Sequence, residues 1–235
     1  MAKSPIDADA LISMFENATA RQGEQLKQAV GKATLAALQG RALTLTNIKS
    51  ALKSVADAAG AGAARNVVAG VDPEALLDKA VAGMDHALLK AVEANRTALA
   101  TLAAQGADLR EKHLKKALGD LDKIEDTMFA VLKKTAGAAG APLAGAWGQV
   151  LEKMQAGGTL SGARAAAATE QITQMAEQMQ GALKSTRAAS LRAAQTLAES
   201  YTAMVSGVLL GMSEALQSGA APAAANANPA KGGKK

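Results

Sequence analysis

The chain contains no cysteine among its 235 residues. Disulfides, thiol catalysis and Cys-ligated metals are therefore excluded, and the composition fits a reducing compartment. Aromatic side chains are almost as scarce: Phe15, Phe129, Trp147 and Tyr201 are the whole set. Long hydrophobic runs are missing too. No stretch reaches the ~18 apolar residues that span a bilayer, and the opening "MAKSPIDADALISMF" lacks the apolar segment of a secretory signal. The only histidines are His86 and His113. Each falls on an expected helix with no second ligand three or four residues on, so a zinc pair of the HExxH kind is absent. These absences predict a cytoplasmic chain with no metal, no cofactor and no transmembrane segment.

What is abundant is alanine, and the rest of the apolar material is mainly Leu, Val and Met. Alanine has the highest helix propensity and loses no side-chain entropy on folding. It also buries little area, so a core built from it is shallow and its helices approach closely. The net charge of +5 is concentrated at one end, because Lys231, Lys234 and Lys235 lie in the last few residues. The rest of the chain is near balance and shows no basic face of the kind that grips a duplex.

The periodicity predicts an all-α chain with no strand. A first helix is expected from Asp7 to about Gln39, with Asp7 or Asp9 as its cap. A second is expected from Thr46 to about Ala59, and a Gly/Ala-rich connection, "GAGAARNVVAGV", should follow it. Asp72-Pro73-Glu74 is a strong helix start, since a cap, a first-turn proline and an acid at the positive dipole end coincide. That third helix should run to about Gln105, and a fourth from about 108 to 136. The fourth carries Leu114, Leu118, Leu121, Ile124, Met128 and Leu132 on one stripe, with its charges off it. A short helix is expected over 142–156, then a hinge at "GGTLSG" (157–162), then one long helix from about Ala163 to Gln217.

The implied organisation is an N-terminal helical region (1–72), a charged helical hairpin (73–136) and a Gly-rich linker with a short helix (137–162). A long C-terminal helix (163–218) and a disordered basic tail (219–235) complete it. The helices should form an extended bundle or a coiled oligomer.

From Ser200 to Ser213 there is no charged residue. On a helical wheel Leu197, Tyr201, Met204, Val205, Val208, Leu209, Met212 and Leu216 share one face, and Glu199, Thr202, Ser206, Ser213 and Glu214 oppose it. This is an amphipathic helix, too short and too one-sided for an anchor. Ala203, Gly207 and Gly211 form a small-residue ridge on another side, of the kind that lets two backbones approach. The apolar face can serve as ordinary core or as a contact for an external apolar surface. The ridge suits close helix packing.

Catalytic signals are weak. Asp120, Asp122, Glu125 and Asp126 are interleaved with Lys115, Lys116 and Lys123 and read as a solvated face. "GAGAARN" lacks both phosphate-loop patterns, and no Ser–His–acid order can be argued. A non-enzymatic protein is expected.

The segment "ATEQITQMAEQMQGALKSTRAASLRAAQTLAESY" (168–201) and the tail "AAPAAANANPAKGGKK" (220–235) resemble those of phasins, the coat proteins of polyhydroxyalkanoate granules. The stretch "AALQGRALTLTNIKSALKSVADAAGAGAAR" (36–65) is similar instead to uncharacterised Ala-rich helical proteins of proteobacteria. The resemblance implies a non-enzymatic protein that binds a hydrophobic polyester granule surface through amphipathic helices, with no small-molecule substrate. The alternative from the residues themselves is a self-assembling helical scaffold or adaptor, a homo-oligomer whose stripes are covered by its own copies. A weak nucleoid-associated role rests on the tail lysines alone, and nucleic acid is the least expected partner.

Overall fold

The structure, a computed structural model, describes residues 7–39, 43–104, 110–182, 204–210 and 212–213. Among these residues every regular element is helical and there is no strand. The chain is all-α, as the periodicity predicts.

The expected first helix is two. Helix α1 (Ala8–Glu16) ends at Asn17, and a 3-10 turn at Ala20–Gln22 leads into α2 (Gly23–Leu38). Two polar side chains compete with the helix backbone here. Asn17 Nδ2 donates to the Ser13 carbonyl at 2.9 Å, and Gln22 Oε1 accepts from the Thr19 backbone N–H at 2.9 Å. Asp7 does cap α1, accepting from Ala10 N at 3.0 Å.

Helix α3 spans Leu45–Arg65 and departs from expectation at both ends. Its cap is Thr44, accepting from Asn47 N, rather than Thr46. It also runs straight through "GAGAAR", where a connection is expected. The helix survives because those glycines face neighbours. A Cβ on Gly62 would lie 2.5 Å from the Ile12 carbonyl oxygen and 2.5 Å from the Phe15 Cβ, and Gly60 lies beside the Trp147 indole. The glycines are contact points between helices, not a break. The connection is confined to 66–72.

Helix α4 (Pro73–Ala104) starts where Asp72-Pro73-Glu74 predicts, with Asp72 Oδ1 accepting from Glu74 N at 3.0 Å. Its buried residues Leu77, Met84, Leu88, Val92 and Leu99 share one stripe, and Leu76 with the buried Ala80, Ala87, Ala91, Ala94 and Ala98 widens that face to nearly half the helix. A face that broad must be covered by more than one neighbour. Helices α2, α3, α7 and α8 all pack on it.

The expected fourth helix is divided at Lys123 into α5 (Arg110–Asp122) and α6 (Ile124–Ala138). The break sends the two halves to different neighbours: α5 packs on α4 and α8, α6 mainly on α3 and α7. Acids Glu125 and Asp126 in the first turn of α6 favour a new start there. The predicted stripe survives, with Leu114, Leu121, Ile124, Met128 and Leu132 buried and Leu118 packed against the core.

Helix α7 (Ala141–Gly157) ends at Gly158, whose φ of 67° suits glycine. Helix α8 (Leu160–Ala182) begins three residues earlier than the hinge predicts. Residues 204–210 are helical, and 183–203 lie outside the described residues, as does the expected tail. One core cluster draws on α1 through α8 and on Val205 and Leu209. About a third of its described members are alanine.

Candidate functional site

The predicted apolar face of the C-terminal segment meets the core. Val205 and Leu209 are fully buried, and Met204 and Val208 pack against the same cluster. Met212 is half-buried. Leu197, Tyr201 and Leu216 lie outside the described residues. Each fully buried aliphatic of this size stabilises by roughly 1.5–3 kcal/mol before ordering costs. Leu210, off that face, is 51% exposed. Of the small-residue ridge, Gly207 is exposed and a Cβ there would meet nothing within 4 Å. Ala203 and Gly211 lie outside the described residues. Within the chain, close packing through glycine occurs instead at Gly62, against α1, and at Gly83, where a Cβ would lie 2.5 Å from the Lys27 carbonyl of α2.

A polar seam runs beneath α8. A helix leaves its first backbone N–H groups unpaired, and α8 has no acid in its own first turn. Two carboxylates from other helices fill the need. Asp85 of α4, only 8% exposed, accepts from Leu160 N and Ser161 N, each at 2.9 Å, one on each oxygen. Glu125 of α6 accepts from Thr159 N at 2.7 Å. Thr159 itself caps locally, its Oγ1 accepting from Gly162 N at 2.9 Å. Hydrogen bonds to a charged acceptor are worth about 1.5–3 kcal/mol each. A Cβ on Gly162 would come within 2.7 Å of the Glu125 carboxylate and of the Thr159 hydroxyl, so both capping side chains would have to shift.

Two turns further along α4, Glu93 pairs with Arg164 of α8 and with Arg96 of its own helix. Burial pushes the Glu93 carboxyl up, but hydrogen bonds from both arginines outweigh it and hold the group below its ordinary range. His86, next to Asp85, is held below the usual imidazole value by burial and then by Lys90 and Lys27, with Asp85 opposing. Lys90 is lowered by burial.

Sequence pattern alone passes over this seam. Asp85 could have been noticed as a lone acid in the apolar run "AGMDHALL", a position that demands a partner. Glu125 is hidden among neighbouring acids. Chemically, both oxygens of Asp85 are engaged by backbone N–H groups, a structural task rather than a proton-transfer one. Among the described residues no group of three His, Asp or Glu side chains could hold a metal ion. No described helix is long and apolar enough to cross a membrane.

No curated protein and no solved structure matches the chain. A family pattern does, over residues 1–218, a span that includes every helix from α1 to α8 as well as the C-terminal apolar face. On that match the chain belongs to DUF6781, a family of unknown function.

Proposed function

We propose that this chain is a non-enzymatic, phasin-like protein that binds the hydrophobic surface of polyhydroxyalkanoate granules in the cytoplasm through amphipathic helices. In this reading the helices form a shallow bundle that opens at the surface. One observation carries it: an uncharged amphipathic segment stores Val205 and Leu209 in a core of which alanine makes up about a third. An external apolar phase can take over those side chains at similar free energy per buried area. Alanine contributes little area, so the packing lost on opening is small. Co-sedimentation of the full chain with polyester granules, or with apolar beads, tests the proposal. A chain that stays in the supernatant at all protein concentrations sinks it.

A second reading, a self-assembling scaffold or adaptor, is favoured by Gly207. The position is exposed with open space around it, so a second helix could approach closely there. Gly207→Leu has room within its own chain and should fold. Sedimentation equilibrium that shows association in the parent chain and none in Gly207→Leu supports the scaffold. A monomeric parent chain argues against it.

A further inference from the structure

We propose that α8 is a latched element: it opens as a unit about the Gly157–Gly158 turn, and the latch holding it shut is the pair of carboxylates Asp85 and Glu125 on its first backbone N–H groups. The inference does not depend on which surface or partner the protein meets.

Three observations lead to it. The first is where the cap comes from. The N–H groups of Thr159, Leu160 and Ser161 are all satisfied from other helices, 34 to 76 residues away in sequence. From within the segment, the Thr159 hydroxyl accepts from Gly162 N and its carbonyl from Ala163 N, and neither serves the first three N–H groups. When α8 leaves its place, these three donors lose their acceptors together, so the bonds act as one catch.

The second is how small the buried apolar side chains of α8 are. Over 160–177, the part of the helix whose side chains are described, the fully buried apolar residues are Ala165, Ala168 and Ile172, with Ala176 packed against the core. Helix α2, on another side of α4, buries Leu26, Val30, Leu35 and Leu38. Burial scales with area, so over the described side chains α2 is held by large aliphatics and α8 by small ones together with its polar contacts. Arg164 on Glu93 continues the polar seam one turn beyond the catch.

The third is the pivot. Gly158 has φ 67° and ψ −169°, a conformation that L side chains rarely adopt, and it separates α7 from α8. Leu160, beyond the pivot, is 65% exposed, so nothing apolar at the start of α8 replaces the carboxylates. Local opening draws on elements with few buried apolar contacts, and the buried apolar side chains of α8 over 160–177 are few and mostly small. In the open state water reaches Asp85 and solvates its charge, so the carboxylate is not stranded.

The test is native-state hydrogen exchange on the full chain. In Asp85→Asn the amide NH2 replaces one acceptor oxygen and faces a backbone N–H, a donor–donor conflict that exists only in the closed state. Exchange of α8 amides should rise by about tenfold or more, while that of α2 and α3 stays within about twofold. Glu125→Ala, which removes one acceptor at a half-buried position, should raise the same amides by a smaller factor. It decides alone if Asp85→Asn fails to fold. Unchanged α8 exchange overturns the latch. Equal acceleration in α2, α3 and α8 overturns it too, because the carboxylates would then serve global stability and not one element.

Discussion

Glycine at a helix contact and glycine on a helix surface are opposite cases in this chain. At Gly62 a new Cβ would press on the Ile12 carbonyl and the Phe15 Cβ, both at 2.5 Å. Backbone cannot yield cheaply, so Gly62→Ala should cost about 1–3 kcal/mol. At Gly145, inside α7, nothing lies within 4 Å. Gly145→Ala should stabilise by about 0.5–1 kcal/mol through the unfolded chain's lost freedom. Urea midpoints of the two variants should move in opposite directions, and a shift of the same sign in both refutes the assignment. Composition alone could not separate these glycines, because only the partner helix distinguishes them. His86 supplies a pH signature at the same scale. Its folded value lies below the ordinary 6.5, by burial first and then by Lys90 and Lys27. The unfolded chain therefore takes up a proton before the folded one does. Stability from this group is present above about pH 6.5 and is lost as pH falls toward its folded value. His86→Gln should flatten the decline in urea midpoint between about pH 7.5 and about pH 5.5. An identical slope in both proteins would show that folding does not depress the imidazole.

Helix boundaries follow local chemistry until a distant residue intervenes. Asp72-Pro73-Glu74 reads correctly because its cap, proline and acid are self-contained. The stripe from Leu114 to Leu132 reads correctly because hydrophobic spacing reports burial directly. The division at Lys123 escapes the sequence, because the stripe keeps its register across the break and only the choice of neighbours changes. Asn66 is the clearest case of remote control. It sits just after α3, yet its Nδ2 donates to the carbonyls of Phe15 at 2.7 Å and Ala18 at 3.0 Å, while its Oδ1 accepts from Val68 N at 3.0 Å. It thereby closes the end of α1 from nearly fifty residues away. Asn66→Ala should cost about 1–3 kcal/mol by leaving those groups unpaired. Asn66→Asp should cost more, because an acceptor-only oxygen would face two carbonyl oxygens. Thermal midpoints in the order parent, Ala, Asp are expected. An Asp variant as stable as the parent would rule out Asn66 as the closure of α1.

For the whole molecule the question is what remains when the core opens. The helices are Ala-rich, so much of their stability is intrinsic to the chain, whereas tertiary packing rests on the larger side chains that make up the other two thirds or so of the core. Trp147, the chain's single tryptophan, is fully buried among them, so its near-UV signal should report tertiary packing in a chain this poor in aromatics. Secondary and tertiary structure are thus separately readable and should separate in experiment. On binding to polyester granules or apolar beads, the near-UV signal should fall as Trp147 loses its fixed surroundings. The far-UV helix signal should stay close to its solution value, since laid-down helices keep their backbone bonds. Loss of both signals would mean that the surface simply denatures the protein. Retention of both, with binding intact, would mean that the closed form binds from outside, and the exposed side chains Val67, Leu160 and Leu210 would become the contact to mutate. Only the split between the two spectra fits a core that gives up Val205 and Leu209 to a surface while its helices persist.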